Sequence, residues 1–431
     1  MSLTKVSYSM LTGAPVNVYD YGAVGDGVAD DTVALQAAVT AASGEQLWLG
    51  TGNFKITATI NLPNRIRITG STLRGNDTII TAAFAGPALR FTNATPTFLE
   101  MYLEHFQVFG NAPVYGAGNG IEISNGSSFN MHSCIVAGFG TNQINIGLGA
   151  YGAIIRDVYV AETYGPGTSN ANLYCASEFC HFDKIESDDA KYSIYLANGS
   201  YGTNIVNCTL EGFSTTCIHV ESTPGVGRVI IQGNKIIDSR IGDGIYINGN
   251  NSQISNNSLK MTSTSTGIYL DTGSYTSVIV GNNIAGAGTG LYLYNSGQNV
   301  ISDNNISANN VALDVQGGAG FPSYSQIILN NNLLVAPGGI TLQHNQNSKT
   351  TYIGNTFRNS ATDAYIAPTI VIGTPVIIST AGTAGEISVL SGVVNYPATT
   401  LVVAGGGGTN VVTAGVVDSG GVGFRVLRIP N

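Results

Sequence analysis

Charge is scarce in this chain of 431 residues: 17 Lys and Arg, 26 Asp and Glu, 10% of the sequence in all. The net charge of −9 leaves no basic stripe to neutralise phosphates, which argues against a nucleic-acid partner. Tryptophan occurs once. The five cysteines, Cys134, Cys175, Cys180, Cys208 and Cys217, are odd in number and lack zinc spacing, so they read as reduced, mostly buried thiols. His105, His132, His181, His219 and His344 are dispersed, and no metal or cofactor is expected. No apolar run is long enough to cross a bilayer, so no membrane partner is expected. The opening MSLTKVSYSM lacks the apolar core of a secretory signal, and the chain reads as made in a cytoplasm.

What is abundant is glycine, 56 residues, and a returning phrase: apolar, two residues, Asn, one residue, apolar. It reads Ile231, Asn234, Ile236; Ile254, Asn257, Leu259; Ile279, Asn282, Ile284; Ile301, Asn304, Ile306; Ile328, Asn331, Leu333; and Tyr352, Asn355, Phe357. Ile205, Cys208, Leu210 fits one step earlier, with Cys in the Asn place. The steps from Cys208 onward are 26, 23, 25, 22, 27 and 24 residues, a solenoid period. The two apolar residues of each phrase are five apart, so a straight strand would point them to opposite sides. The chain must bend between them. Asn, which tolerates the left-handed conformation, is expected to be the corner residue.

A second phrase alternates in and out: Gly244-Ile245-Tyr246-Ile247, Gly267-Ile268-Tyr269-Leu270, Gly290-Leu291-Tyr292-Leu293, Gly339-Ile340-Thr341-Leu342. Tyr246, Tyr269 and Tyr292 share one register and point outward, a ladder that could bind glycan, bury in a trimer contact or serve as stacking support. Weaker turns precede these, with Cys134, Val158 and Asp183 assigned to the corner. Turns of about 24 residues with two or three short strands describe an all-β fold, a right-handed single-stranded parallel β-helix. Counting from Trp48 to Ile370 gives about thirteen turns, roughly 60 Å at ~4.8 Å per turn.

Residues 1–15 form a lead-in. Next come a strand, a Gly/Asp loop and an amphipathic helix from about Asp31 to Ala42, capped by Asp30 or Asp31 and stopped by Gly44; residues 16–47 would thus close one end of the solenoid. GAVGDG lacks the Lys-Ser/Thr of a phosphate loop and a second βαβ unit, so Asp26, Asp30 and Asp31 read as structural. VNVYDYGAVGDGVADDTVALQAAV followed by LWLGTGNFKI resembles the opening of the pectate-lyase-like β-helix superfamily, in the form common in bacteriophage tailspikes. KVSYSMLTGAPVNV is similar to the junction that precedes tailspike β-helices. Gly50 departs from the Pro usual in the family, and upstream there is almost nothing where many tailspikes carry a virion-anchoring domain. The resemblance implies a homotrimer on a phage tail or baseplate, in the virion, acting on a bacterial surface polysaccharide. Residues 48–368 are assigned to the β-helix and 369–431, whose short strands lack the Asn corner, to a C-terminal β region; in the resembling proteins such regions trimerise or contact carbohydrate.

With charge so scarce, a local concentration of carboxylates is informative. The densest is FCHFDKIESDDAKY, holding Glu178, Asp183, Glu186, Asp188 and Asp189. Glu186 lies three residues after Asp183 and Glu211 three after Cys208, so the two are expected to stack on adjacent turns. Glu162 and Asp238 would extend the column by one turn each way. Carboxylates on neighbouring turns, roughly 5 to 10 Å apart, span both geometries of glycoside hydrolysis. Glu211 and Glu186, with Asp188 or Asp189, are the expected acid and base; Tyr192 and Tyr164 are candidates for stacking on sugar. The resulting expectation is a tailspike-like depolymerase that hydrolyses capsule, exopolysaccharide or O-antigen. The alternatives are a receptor-binding spike that cleaves nothing and a polysaccharide lyase, against which the low Lys and Arg count weighs.

Overall fold

A computed structural model describes residues 13–71, 77–111, 118–161, 171–221, 227–237, 242–316, 326–336, 340–345, 351–353, 355–359, 371–372 and 388–390. The fold is an all-β, right-handed parallel solenoid of about ten turns, fewer than the thirteen counted from the sequence, and its contacts divide it into two compact units, Met1–Ser214 and Thr215–Asn431.

In the first unit each turn supplies strands to three parallel ladders. One inward column climbs Leu47, Ile68, Leu103, Met131, Ile155, Phe182 and Ile205, each 2% exposed or less. The second ladder includes Gly52–Ile56, Thr78–Ala82, Gln107–Phe109 and Ile135–Ala137, and the third includes Ile60–Asn61, Asn142–Ile146, Ala171–Cys175 and Ala190–Leu196. The helix spans Thr32–Ala41 and packs on Val16–Asn17, Gly52–Ile56 and Ile60–Asn61 through Leu35, Ala38 and Val39. Asp31 holds the N-cap position without a capping bond; its carboxylate accepts instead from Val24 N and Gly25 N, fixing the Gly/Asp loop. Asp30 accepts from Thr32 N and does the capping.

In the second unit the phrase repeats drive one inward column, Ile231, Ile254, Ile279, Ile301 and Ile328, each 1% exposed or less. The corner differs from the sequence expectation. The left-handed residue is the one before each column Asn: Gly233, Asn256, Gly281, Asp303 and Asn330 have φ between 51° and 68°. That reversed residue lets both apolar residues of a phrase, five apart, face inward. The column Asn itself turns in, and its role is hydrogen bonding. Asn282 Nδ2 donates to Asn304 Oδ1 and to Ile254 O, each at 2.9 Å, while its Oδ1 accepts from Asn257 N and Nδ2. The same ladder runs from Asn234 to Asn355. In the first unit, Cys208 and Cys134 occupy the equivalent place. Their thiols point at Phe182 O and Leu103 O of the preceding turn, and burial pushes each up to about 12.

All five cysteines are buried and unbridged, with Cys175 and Cys180 Sγ atoms 3.6 Å apart. Within the stretch read as a separate C-terminal region, Val371–Ile372 pairs in parallel with Gln343–His344 and Ser388–Leu390 with Thr351–Ile353. The rest of 369–431 lies outside the described residues.

Candidate active site

The first unit corrects the register on which the acidic column rested. Ile185, not Asp183, holds the corner place: Ile155 pairs with Phe182, Val158 with Ile185 and Tyr159 with Glu186, and Lys184 is the left-handed residue. Asp183 pairs with Val206 and accepts from Asn207 Nδ2 at 3.0 Å. Glu186 therefore pairs with Thr209 and Ser187 with Leu210, so Glu211 comes level with Asp188 and only diagonal to Glu186. The sequence error was two residues, which keeps the side chain on the same face but on the wrong rung.

The four carboxylates nonetheless converge. The Tyr159 phenol, half-buried one turn before Glu186, is pushed above its ordinary range first by burial and then by the charges of Asp188, Asp189, Glu186 and Glu211. Glu186, Asp188 and Asp189 are partly exposed, and Glu211 is exposed. Asp189 turns left-handed, with φ 47°, between strands His181–Asp188 and Ala190–Leu196. Asn172 anchors this corner: buried at 0% exposure, its Nδ2 donates to Asp188 O and Ser187 Oγ, each at 2.9 Å. Gly212, with φ 71°, leaves the carboxylates their room, because a Cβ there would stand 2.5 Å from Asp189 Oδ1 and 2.8 Å from Asp188 Oδ1.

Beyond the corner, Tyr192 meets Tyr195 edge-on at 4.9 Å, and Tyr195 stacks on Tyr174 at 5.6 Å. Lys191 Nζ sits 5.2 Å from the Tyr192 ring centre. Tyr192 is thus part of an aromatic strip that the sequence reading saw only in one member. Tyr164, Glu162 and Asp238 lie outside the described residues. Tyr159, Asn172 and Gly212 were missed; placing the corner at Ile185 would have found Tyr159, the outward residue directly after Val158.

A second ionic group was also missed. Glu104, about 3% exposed, accepts from Arg67 Nε, from Thr69 Oγ1 at 2.9 Å and from His132 Nε2 at 2.6 Å. Burial pushes its carboxyl up, but the hydrogen bonds from Arg67, Thr69 and His132 outweigh that and hold it below its ordinary value of 4.5. Because the folded value is the lower one, Glu104 stabilises the fold fully above that ordinary value and progressively less as pH falls towards the folded one. Glu104→Gln is expected to flatten the acid limb of the urea midpoint against pH. Arg67→Ala is expected to cost about 1–3 kcal/mol at neutral pH by weakening the support of a buried charge. Among the described residues no group of three or more His, Cys, Asp or Glu could hold a metal ion, and no helix is long and apolar enough to cross a membrane.

The family profile described as "Rhamnogalacturonase A/epimerase, pectate lyase-like" matches residues 15–111, and that described as "Right handed beta helix region" matches 192–362. The chain is a right-handed parallel β-helix, and residues 15–111 are similar to the pectate-lyase-like family. Among solved structures, the β-helix is similar to the Dettilon tailspike protein at TM-score 0.57 and 14% identity, covering 83% of this chain and 71% of that one. Tailspike protein 3 of bacteriophage CBA120 gives 0.55 and 12%, covering 91% and 69%. The mannuronan C-5 epimerase A-module of Azotobacter vinelandii gives 0.53 and 17%, covering 80% and 95%. At these identities the likeness is one of fold. By sequence, the β-helix is 28% identical over 154 residues to a capsule-specific Depolymerase 1 of a Klebsiella phage, and 26% identical over 220 residues to the pre-neck appendage protein of Bacillus phage B103. These matches take in 32% and 42% of this chain but only 19% and 25% of the relatives' own length.

Proposed function

We propose that this β-helix belongs to a tailspike-like protein of a phage particle that binds a bacterial surface polysaccharide and hydrolyses its glycosidic bonds. The observation that carries the reading is the register that sets Glu186 beside Tyr159 and Asp188 level with Glu211, with the Oδ1 atoms of Asp188 and Asp189 both close against Gly212. Glycoside hydrolysis needs one carboxyl that protonates the leaving oxygen and a second that activates water or attacks the sugar. Glu186 and Glu211 fill these roles, while Asp188 and Asp189 bond sugar hydroxyls. As diagonal neighbours on successive turns, Glu186 and Glu211 rise from backbone positions about 7–8 Å apart, a spacing from which their carboxyls reach either the retaining or the inverting geometry. The strip Tyr174, Tyr195, Tyr192 offers rings to the sugar beside the carboxylates. The sequence relatives, a capsule depolymerase and a phage appendage protein, support the same particle and substrate class. A homotrimer, with residues 369–431 serving assembly, completes the proposed organisation.

A lyase needs a base that loses its proton readily beside a uronate carboxylate. Tyr159, pushed upward by burial and by the charges of the four carboxylates, holds its proton too tightly to serve as that base, and the carboxylates around it repel an anionic sugar. The test is incubation with a panel of capsulated bacteria and mass spectrometry of the released sugar. Fragments heavier by one water support the proposal. Unsaturated fragments would identify a lyase, and binding to the matching host without fragments an adhesin.

A further inference from the structure

The second unit carries an outward face that the proposed cleavage does not use. One row is His219, Tyr246, Tyr269, Tyr292 and Asp314, each paired in register with the next. Its ring centres are 4.5 Å apart from His219 to Tyr246, 5.2 Å from Tyr246 to Tyr269 and 4.8 Å from Tyr269 to Tyr292. The planes are not uniformly stacked. His219 lies flat on Tyr246 at 9°, but Tyr269 stands at 86° to Tyr246, which opens ring surface between the rungs. Beside it runs a second row, Glu221, Asn248, Asp271, Tyr294 and Gln316. Four of its five members are carboxylates or carboxamides, planar groups that each offer two hydrogen-bonding atoms.

The two rows are tied together. Asp271 accepts from the Tyr246 hydroxyl, from Tyr269 OH at 3.4 Å and from Thr272 N at 2.7 Å, so the rings are held by a fixed carboxylate. At the far end Asp314, 8% exposed, accepts from Gln316 Nε2 at 3.0 and 3.1 Å. Burial pushes the Asp314 carboxyl up to about 6 despite those bonds.

We infer that this face is a second glycan-binding site, which holds a neutral polysaccharide along the turns with rings of the tyrosine row against sugar faces and the planar polar row on sugar hydroxyls. The repeat of ~4.8 Å per turn is close to the length of one hexose unit, so successive sugars meet equivalent pairs of rows. Aromatic surface flanked by amide and carboxylate groups suits an occupant with apolar ring faces and a hydroxyl rim. Neither row contains Lys or Arg, and Glu221, Asp271 and Asp314 repel anionic polymers, so the occupant is neutral. The site does not depend on cleavage at the Tyr159 cluster, and its failure is separable from failure there.

The test is affinity electrophoresis of the full chain in native gels containing dextran, yeast mannan, galactomannan or soluble starch, with alginate as the anionic control. Retardation by at least one neutral polymer and none by alginate is expected. In Tyr269→Ala/Tyr292→Ala the apparent affinity should fall by roughly tenfold or more, and in Asp271→Asn, which keeps shape and size, by several-fold. Glu186→Gln/Glu211→Gln should bind as the parent does. Circular dichroism and sedimentation of each variant separate lost binding from lost fold or altered assembly. Retardation by none of the neutral polymers, or retardation unchanged in the folded tyrosine variant, would overturn the inference. A change of oligomeric state in that variant with binding intact would overturn it too, and would make the face a contact between copies.

Discussion

Glu186→Gln is expected to lower the rate of reducing-end release from the matching polysaccharide by roughly 10²–10⁴-fold with the fold intact, the range that removal of a positioned acid or base costs. Glu211→Gln should do the same, and the double variant should be little worse than the poorer single one, because acid and base act in one transition state. An independent readout follows from the geometry. Part of what holds the Tyr159 phenol above its ordinary range is the charge of Asp188, Asp189, Glu186 and Glu211. Deleting the Glu186 charge should therefore let Tyr159 ionise at lower pH. Ultraviolet difference titration against a Tyr159→Phe control measures this without substrate. An unmoved phenol with lost activity would place Glu186 away from the cluster; a moved phenol with full activity would leave the cluster intact but take catalysis elsewhere.

The largest stability effect is expected at the centre of the asparagine ladder. Asn282→Ala removes one buried side chain and leaves four partners without it: Asn257 N, Asn257 Nδ2, Ile254 O and Asn304 Oδ1. Asn257 Nδ2 keeps Ile231 O and Asn304 Oδ1 keeps the Asn282 backbone N, so two groups are orphaned; at about 1–3 kcal/mol for each, a total on the order of 2–6 kcal/mol is expected. Asn305 makes a parallel, exposed ladder, accepting from Asn332 and donating to Asn283. Water replaces those bonds, so Asn305→Ala should cost less than about 1 kcal/mol. Urea unfolding distinguishes the two. Because solenoid turns open locally, hydrogen exchange at Ile254 and Ile279 should rise in Asn282→Ala while distant turns stay protected.

The positions just described show how legibility varied along the chain. The inward isoleucines and the outward tyrosines of the second unit were readable because their spacing repeats and each neighbour confirms the last. The asparagines were recognised as a column, but for the wrong reason: the left-handed conformation belongs to Asn256, Asp303 and Asn330, one residue earlier, and the column Asn is kept for its two-sided hydrogen bonding. In the first unit Cys134, Val158 and Ile185 share the corner place without sharing chemistry. Spacing alone therefore misplaced the corner onto Asp183. Glu186 and Glu211 kept a common face despite that error because two residues along a strand return to the same face.

By itself, then, the sequence determined the solenoid, its inward columns, the helix over Thr32–Ala41 and the acidic segment around Glu186, because each depends on local periodicity or local composition. Only the tertiary structure decided which residues meet across turns: Tyr159 with Glu186, Asp188 level with Glu211, Asn172 on the Asp188 carbonyl, and Arg67 and His132 on Glu104. The physical reason is that turns vary in length, so the rung on which a side chain lands is set by backbone pairing between turns, and one left-handed residue per corner is enough to shift it.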